Sequence, residues 1–232
     1  MRKSDLENVP MGRTKYTPET RNAVMASFVT AMKGIIDELG VEGASIRRVS
    51  MATGYSSATL YLYFEDMNEL VTMSLVSYLS DYVSDVVKST PENEPPQETY
   101  RRTWQLFCKH AFSHPAMFLN LFYGPQANKL DLIAKKYYEL FPQELEQATG
   151  IMLDMLEHGS LLERNRVLLD PLESEIGLTK HEADLANDLT LAYFHSFLVD
   201  ASERNYPEEE LDALINRFLE GAFFVLRGKA DE

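Results

Sequence analysis

The side chains best suited to chemistry in this 232-residue chain are crowded between positions 45 and 63: Ser45, Arg47, Arg48, Ser56, Ser57, Ala58, Thr59, Tyr61 and Tyr63. Guanidinium groups, hydroxyls and phenols suit phosphate oxygens and base edges, and a small residue such as Ala58 lets the backbone approach a groove floor. The chemistry on offer is recognition, with no bond made or broken. Catalytic and metal-binding alternatives lack their signatures. His110, His114, His158, His181 and His195 have no HExxH-like spacing, and the chain has neither a phosphate-cradling glycine loop nor a GxSxG turn. No carboxylate pair is singled out by an apolar setting that would drive two pKa values apart. The sequence therefore predicts a non-enzyme, without metal or cofactor.

Those side chains need two short helices around a turn. Ser45 is placed to cap the first, with Ile46, Val49, Ser50 and Thr53 on one face. Gly54 falls where the chain must turn sharply, a position that asks for positive φ. Ser56 caps a second helix whose inward residues are Leu60 and Phe64, leaving Ser57, Ala58, Thr59, Tyr61 and Tyr63 on or near the outer face. This is a helix-turn-helix layout, in which the second helix reads the major groove. A helical hairpin in an ordinary bundle has the same pattern.

The segment from about Thr17 to Leu75 resembles the DNA-binding domain of the TetR (tetracycline repressor) family. The residues that carry the resemblance are Gly54-Tyr55-Ser56, Thr59-Leu60-Tyr61-Leu62-Tyr63-Phe64, Asp66 and Leu70. It implies Arg47 as a base or phosphate contact and Ser57, Ala58, Thr59, Tyr61 and Tyr63 as the groove-facing set. One departure is Met67, where the family usually places a phosphate-gripping Lys. Asp66 and Glu69 keep the spacing of a capping box, yet with Glu65 they oppose phosphate electrostatically. The resemblance further implies a homodimer joined by a four-helix bundle, and a second domain that binds a small effector and changes the spacing of the readers.

The chain carries 22 Lys and Arg against 36 Asp and Glu, a net charge of -14. Residues 1–70 hold 8 basic against 9 acidic side chains, so the acidity lies almost wholly in residues 71–232. A near-neutral reader must gain its affinity from specific contacts and dimerisation. The single cysteine, Cys108, lies among Trp104, Phe107, Ala111 and Phe112 as a buried thiol, which fits a reducing compartment. No apolar run approaches a membrane span and no secretory segment is evident, so a cytoplasmic protein without membrane contact is expected. The predicted organisation is all-α: a flexible tail over 1–16, a three-helix helix-turn-helix domain over 17–66, and a larger helical ligand-binding and dimerisation domain over 67–232. Arg2, Lys3, Arg13 and Lys15 would let the tail act as a minor-groove arm.

Thr17-Pro18-Glu19 opens a scaffold helix to Leu39, burying Val24, Phe28, Ala31, Ile35 and Leu39. One long helix is predicted from Met67 to Lys88, a break at Pro91, Pro95 and Pro96, then helices over 97–113, 115–122, 130–141 and 142–158, a loop over 159–180, and helices over 182–203 and 207–227. The last carries one wide apolar stripe, whereas its predecessor carries apolar residues on two faces, which asks for a partner as well as a core. The expected dimer interface is Leu191, Phe194, Leu198, Leu214, Phe218, Leu219 and Ala222. Trp104, Phe107, Phe122, Met152 and Phe194 are the expected pocket residues, for a small hydrophobic or cationic effector. The function predicted is a sequence-specific regulator of transcription, a repressor released by a small molecule, bound to double-stranded operator DNA with an inverted repeat. The alternatives are a helical interaction or ligand-binding protein with a degenerate reader, and a helical-bundle enzyme.

Overall fold

Every regular element that the computed structural model describes is helical, over residues 17–227 apart from 92, 146–147, 149–152, 154, 156–159 and 205. The expected tail over 1–16 lies outside the described residues. Helix α1 (Pro18–Leu39) begins as its capping signals require, with Thr17 Oγ1 accepting the Thr20 N–H at 3.2 Å. It buries Val24, Met25, Phe28, Val29, Met32 and Ile36. The expected stripe through Ala31, Ile35 and Leu39 is thus turned toward Val29, Met32 and Ile36, because α2 and α4 both pack on α1 and the apolar face must serve the two. Leu39 stays half exposed, lying over the following turn, where a Cβ on Gly43 would stand 2.3 Å from its own.

After α2 (Ile46–Thr53) and α3 (Ser57–Leu60), the helix expected over 67–88 is divided into α4 (Met67–Leu75) and α5 (Ser77–Ser89). Between them the Val76 N–H bonds Met73 O at 3.3 Å and the Leu79 N–H bonds Val76 O at 2.9 Å, a tightened turn. The break has a packing reason. From Glu69 to Leu75 every residue of α4 is buried, against α1, α7 and α8, whereas α5 runs along α6.

The proline-rich link before α6 (Pro96–Ser113) is pinned by Arg102, whose Nε and Nη2 donate to Glu94 at 3.0 and 2.7 Å. Then follow α7 (Pro115–Tyr123), α8 (Leu130–Leu140) and a short 3-10 turn, Pro142–Glu144. Most of the rest of the helix expected to 158 lies outside the described residues.

The loop expected over 159–180 is instead a helix, α9 (Leu161–Ile176). Ser160 Oγ accepts the Glu163 N–H at 3.2 Å at its start, and Gly177 closes it in the left-handed conformation at φ 72°. Pro171 is tolerated because it faces solvent, while Asn165, Leu168, Leu169 and Leu172 are buried. Arg166 joins α9 to the next helix, meeting Asp170 at 2.8 Å, Asp184 at 3.3 Å and Glu173. Helices α10 (Lys180–Arg204) and α11 (Glu208–Arg227) complete the body and pack on each other and on α6. They approach closely enough that a Cβ on Gly221 would meet the Tyr193 ring at 2.3 Å.

Candidate nucleic-acid interface

The candidate reader is assembled by local signals in the order the chain supplies them. Ser45 Oγ accepts the Arg48 N–H at 3.3 Å, and Gly54 turns the chain at φ 74°, ψ 1°. Ser56 Oγ then accepts the Thr59 N–H at 3.1 Å. Val49, Leu60 and Phe64 point inward onto Phe28 and its neighbours, with the Phe28 and Phe64 rings edge to face at 6.0 Å. The predicted contacts that remain outside are Arg47, Arg48, Ser56, Ser57, Ala58 and Tyr61, all exposed, with Ser45 and Thr59 at half exposure.

The expected contact residues do not all stand equally free. The Arg48 guanidinium donates to Gly43 O at 2.7 Å, bracing the turn before α2. Tyr63 is half-buried, its ring 6.3 Å from that of Phe28. Sequence reasoning missed Arg21, whose guanidinium lies 5.0 Å over the Tyr63 ring and reaches Leu62 O at 3.5 Å. That puts a cation from the first turns of α1 beside the exit of α3. Its signal was position alone, one turn after the Thr17 cap.

The acidic residues after α3 are engaged by the body. Glu65 pairs with Lys129 at 2.7 Å, Asp66 accepts from Gln126 at 3.3 Å, and Glu69 meets Lys136 at 2.7 Å. The same carboxylates also close the start of α4: Asp66 takes the Glu69 N–H at 2.8 Å, and Glu69 takes the Glu65 N–H at 2.6 Å. Two N–H groups that a phosphate would have used are already satisfied. On the other side of the junction, Tyr78 donates to Asp37 and lies under Lys33 at 5.0 Å. Polar contacts therefore tie the candidate reader to the helices that follow it on both flanks of α4.

No family model matches the sequence, and no curated protein does. Among solved structures, the chain is similar to a TetR-like transcriptional regulator from Rhodococcus sp. RHA1 at 15% identity, covering 92% of this chain and 99% of that one, with a TM-score of 0.49. It is also similar to a transcriptional regulator from the same organism at 17% identity, over 88% and 96% of the two chains, with a TM-score of 0.48. The likeness is a distant one. No residue's role passes from those structures to this chain.

In the body, Trp104, Phe107, Phe122 and Phe194 do come together. Phe107 lies 5.6 Å from Trp104, 5.9 Å from Phe122 and 5.2 Å from Phe194. Phe194 is fully buried as a core residue, and Met152 lies outside the described residues. A small cavity opens beside Trp104 and Phe107, lined also by Tyr82, Thr103, Met155, Leu161, Arg164, Asn165 and Leu168. Sequence reasoning missed Arg164 and Asn165 because it read their helix as a loop; the Ser160-Leu-Leu-Glu163 cap was the available signal.

The residues expected at a dimer interface lie mostly inside this one chain. Phe194, Leu198 and Phe218 are fully buried within this one chain, as are all but a few per cent of Leu214, Leu219 and Ala222, and Leu191 is half-buried. The two helices that carry them pack on each other and on α6. Among the described residues, the large apolar side chains that these helices expose are Leu185, Leu189 and Phe224. Among the described residues, no helix is long and apolar enough to cross a membrane, and no group of three or more His, Cys, Asp and Glu could hold a metal ion.

Proposed function

We propose that this chain is a TetR-family regulator that binds an inverted repeat in double-stranded operator DNA as a homodimer, and that it represses transcription until a small molecule binds residues 67–232. The observation that carries the reading is the pair α2 and α3: capped by serines, turned by a left-handed glycine, seated on Phe28, and presenting Arg47, Ser57, Ala58, Thr59 and Tyr61 outward. Inward side chains alone would serve a hairpin. The small and hydroxylated outward set is what a groove-entering helix requires. Arg21 and Arg47 are the cations for phosphate, and pairing of Glu65 and Glu69 with lysines of the body reduces the repulsion that these carboxylates would otherwise exert.

The dimer is proposed to form through Leu185, Leu189 and Phe224, which would hold two readers roughly 34 to 36 Å apart, or a multiple of that. Effector release needs only a coupling of about 1–3 kcal/mol, which changes operator affinity roughly 5- to 150-fold. The polar junction around α4 provides a path by which body and reader influence each other.

A salt titration of duplex binding tests the reading against a helical interaction protein with a degenerate reader. Affinity should fall steeply with salt, and Arg47→Ala should reduce the log–log slope by about one per half-site. Binding that is indifferent to salt and to Arg47 would favour the interaction protein.

A further inference from the structure

The segment that forms α2, the turn and α3, from Ile46 to Tyr63, contains no Asn, Gln, Lys, Asp or Glu. That narrows the ways in which it can tell one base pair from another. Adenine is read by the paired donor and acceptor of Asn or Gln, cytosine by a carboxylate, and guanine by Arg or Lys. Of these side chains the segment has only two arginines, and Arg48 is engaged with Gly43 O at 2.7 Å, which leaves Arg47 for one guanine or one phosphate. Hydroxyls do not supply the missing choice. Those of Ser56 and Thr59 bond each other at 2.9 Å within the cap, and those of Ser57 and Tyr61 suit a phosphate or either kind of base edge. What the segment does offer is exposed carbon. Leu62 is 69% exposed, in a turn that prolongs α3 through bonds from the Leu62 N–H to Thr59 O and from the Phe64 N–H to Leu60 O, both 3.1 Å. Ala58 is exposed one turn earlier, on the same side. Packing has no use for either, because Val49, Leu60 and Phe64 already fill the seat on Phe28.

We propose that α3 selects thymine, with Ala58 and Leu62 set against thymine 5-methyl groups in the major groove and Arg47 serving a guanine or a phosphate. This rests on the regulator reading above and deepens it by naming the base. The 5-methyl is the one apolar group that base edges present in the major groove, and it distinguishes T·A from A·T and from both G·C orientations. Contact between carbon surfaces is also what a near-neutral reader needs. Residues 1–70 hold 8 basic against 9 acidic side chains, so counterion release is small, whereas burial of methyl groups adds affinity without any ion being released.

The experiment takes the duplex that the full chain enriches from random DNA and replaces its thymines one at a time by deoxyuridine, which keeps every hydrogen-bonding group and lacks only the methyl. At one or more thymines of each half-site the affinity of the wild type should fall by about 3- to 5-fold per methyl removed. In Leu62→Ala and Ala58→Gly the penalty at the matching thymine should shrink below about twofold, because each variant has already lost the carbon that the methyl meets. Both side chains are exposed, so a thermal melt should show the two variants folded. The assignment is overturned by an enriched half-site without thymine, by deoxyuridine that is tolerated at every position, or by penalties that are the same in wild type and both variants, which would place the methyl effect in the shape of the DNA. If no duplex is enriched at all, the regulator reading falls and this assignment with it. An enriched repeat that is blind to its methyl groups overturns the assignment alone.

Discussion

Single residues set the geometry of the α2–α3 pair, and Gly54 shows how. At φ 74° it occupies the left-handed region, with open space where a side chain would stand. Gly54→Ala therefore meets no clash and costs backbone strain only, about 1 kcal/mol, which should lower the melting temperature by roughly 2–4 °C. A thermal melt checks this; an unchanged melting temperature would mean that the turn relaxes at no cost. Glu94 makes a second prediction. The hydrogen bonds from Arg102 hold its carboxyl below the usual range. A depressed folded-state pKa contributes stability at pH above the unfolded value near 4.5, lost as pH falls through the folded value. Urea midpoints of wild type and Glu94→Gln should therefore differ at pH 7 and converge in acid. A gap that persists at low pH would assign the role of Glu94 to packing.

At the scale of elements, the sequence was most legible where local chemistry decides. Ser45, Gly54 and Ser56 act on their immediate neighbours, so caps and turn were readable without knowing what packs above them. Helix α9 was missed because Pro171 and Gly177 look like loop punctuation, although only the glycine ends the helix. In α10 the difficulty was of another kind: apolar residues occur on more than one side, so periodicity could not say which of them face the core and which face outward. Packing chose Phe194, Leu198 and Phe218 for the core and left Leu185, Leu189 and Phe224 outside. Contacts distant in sequence, such as Glu69 with Lys136, have no local signature at all. That pair can be tested by Glu69→Ala, which removes an α4 closure and a bond to α8 together. A loss of about 1–3 kcal/mol in urea unfolding is expected, with a smaller loss for Lys136→Met, since Lys136 is half exposed and Glu69 is buried.

For the whole molecule, the charge distribution and the exposed apolar side chains belong to one account. A near-neutral candidate reader gains little from phosphates alone, so the proposed DNA binding calls for two copies acting together. The exposed Leu185, Leu189 and Phe224 are the surface on which they would meet. Leu189→Asp with Phe224→Asp should leave the fold intact, shift the sedimentation of the protein from dimer to monomer, and weaken duplex binding by at least tenfold through loss of the second half-site. A dimer that survives both substitutions would place the interface elsewhere. The central claim, that the face of α2 and α3 reads DNA sequence as a symmetric pair, is tested most directly by selection from random duplex DNA with the purified full chain at moderate salt, run beside an Arg47→Ala, Tyr61→Ala double variant. The account predicts enrichment of an inverted repeat by the wild type and none by the variant. A folded dimer that enriches no sequence, or a variant that enriches the same repeat, would contradict it.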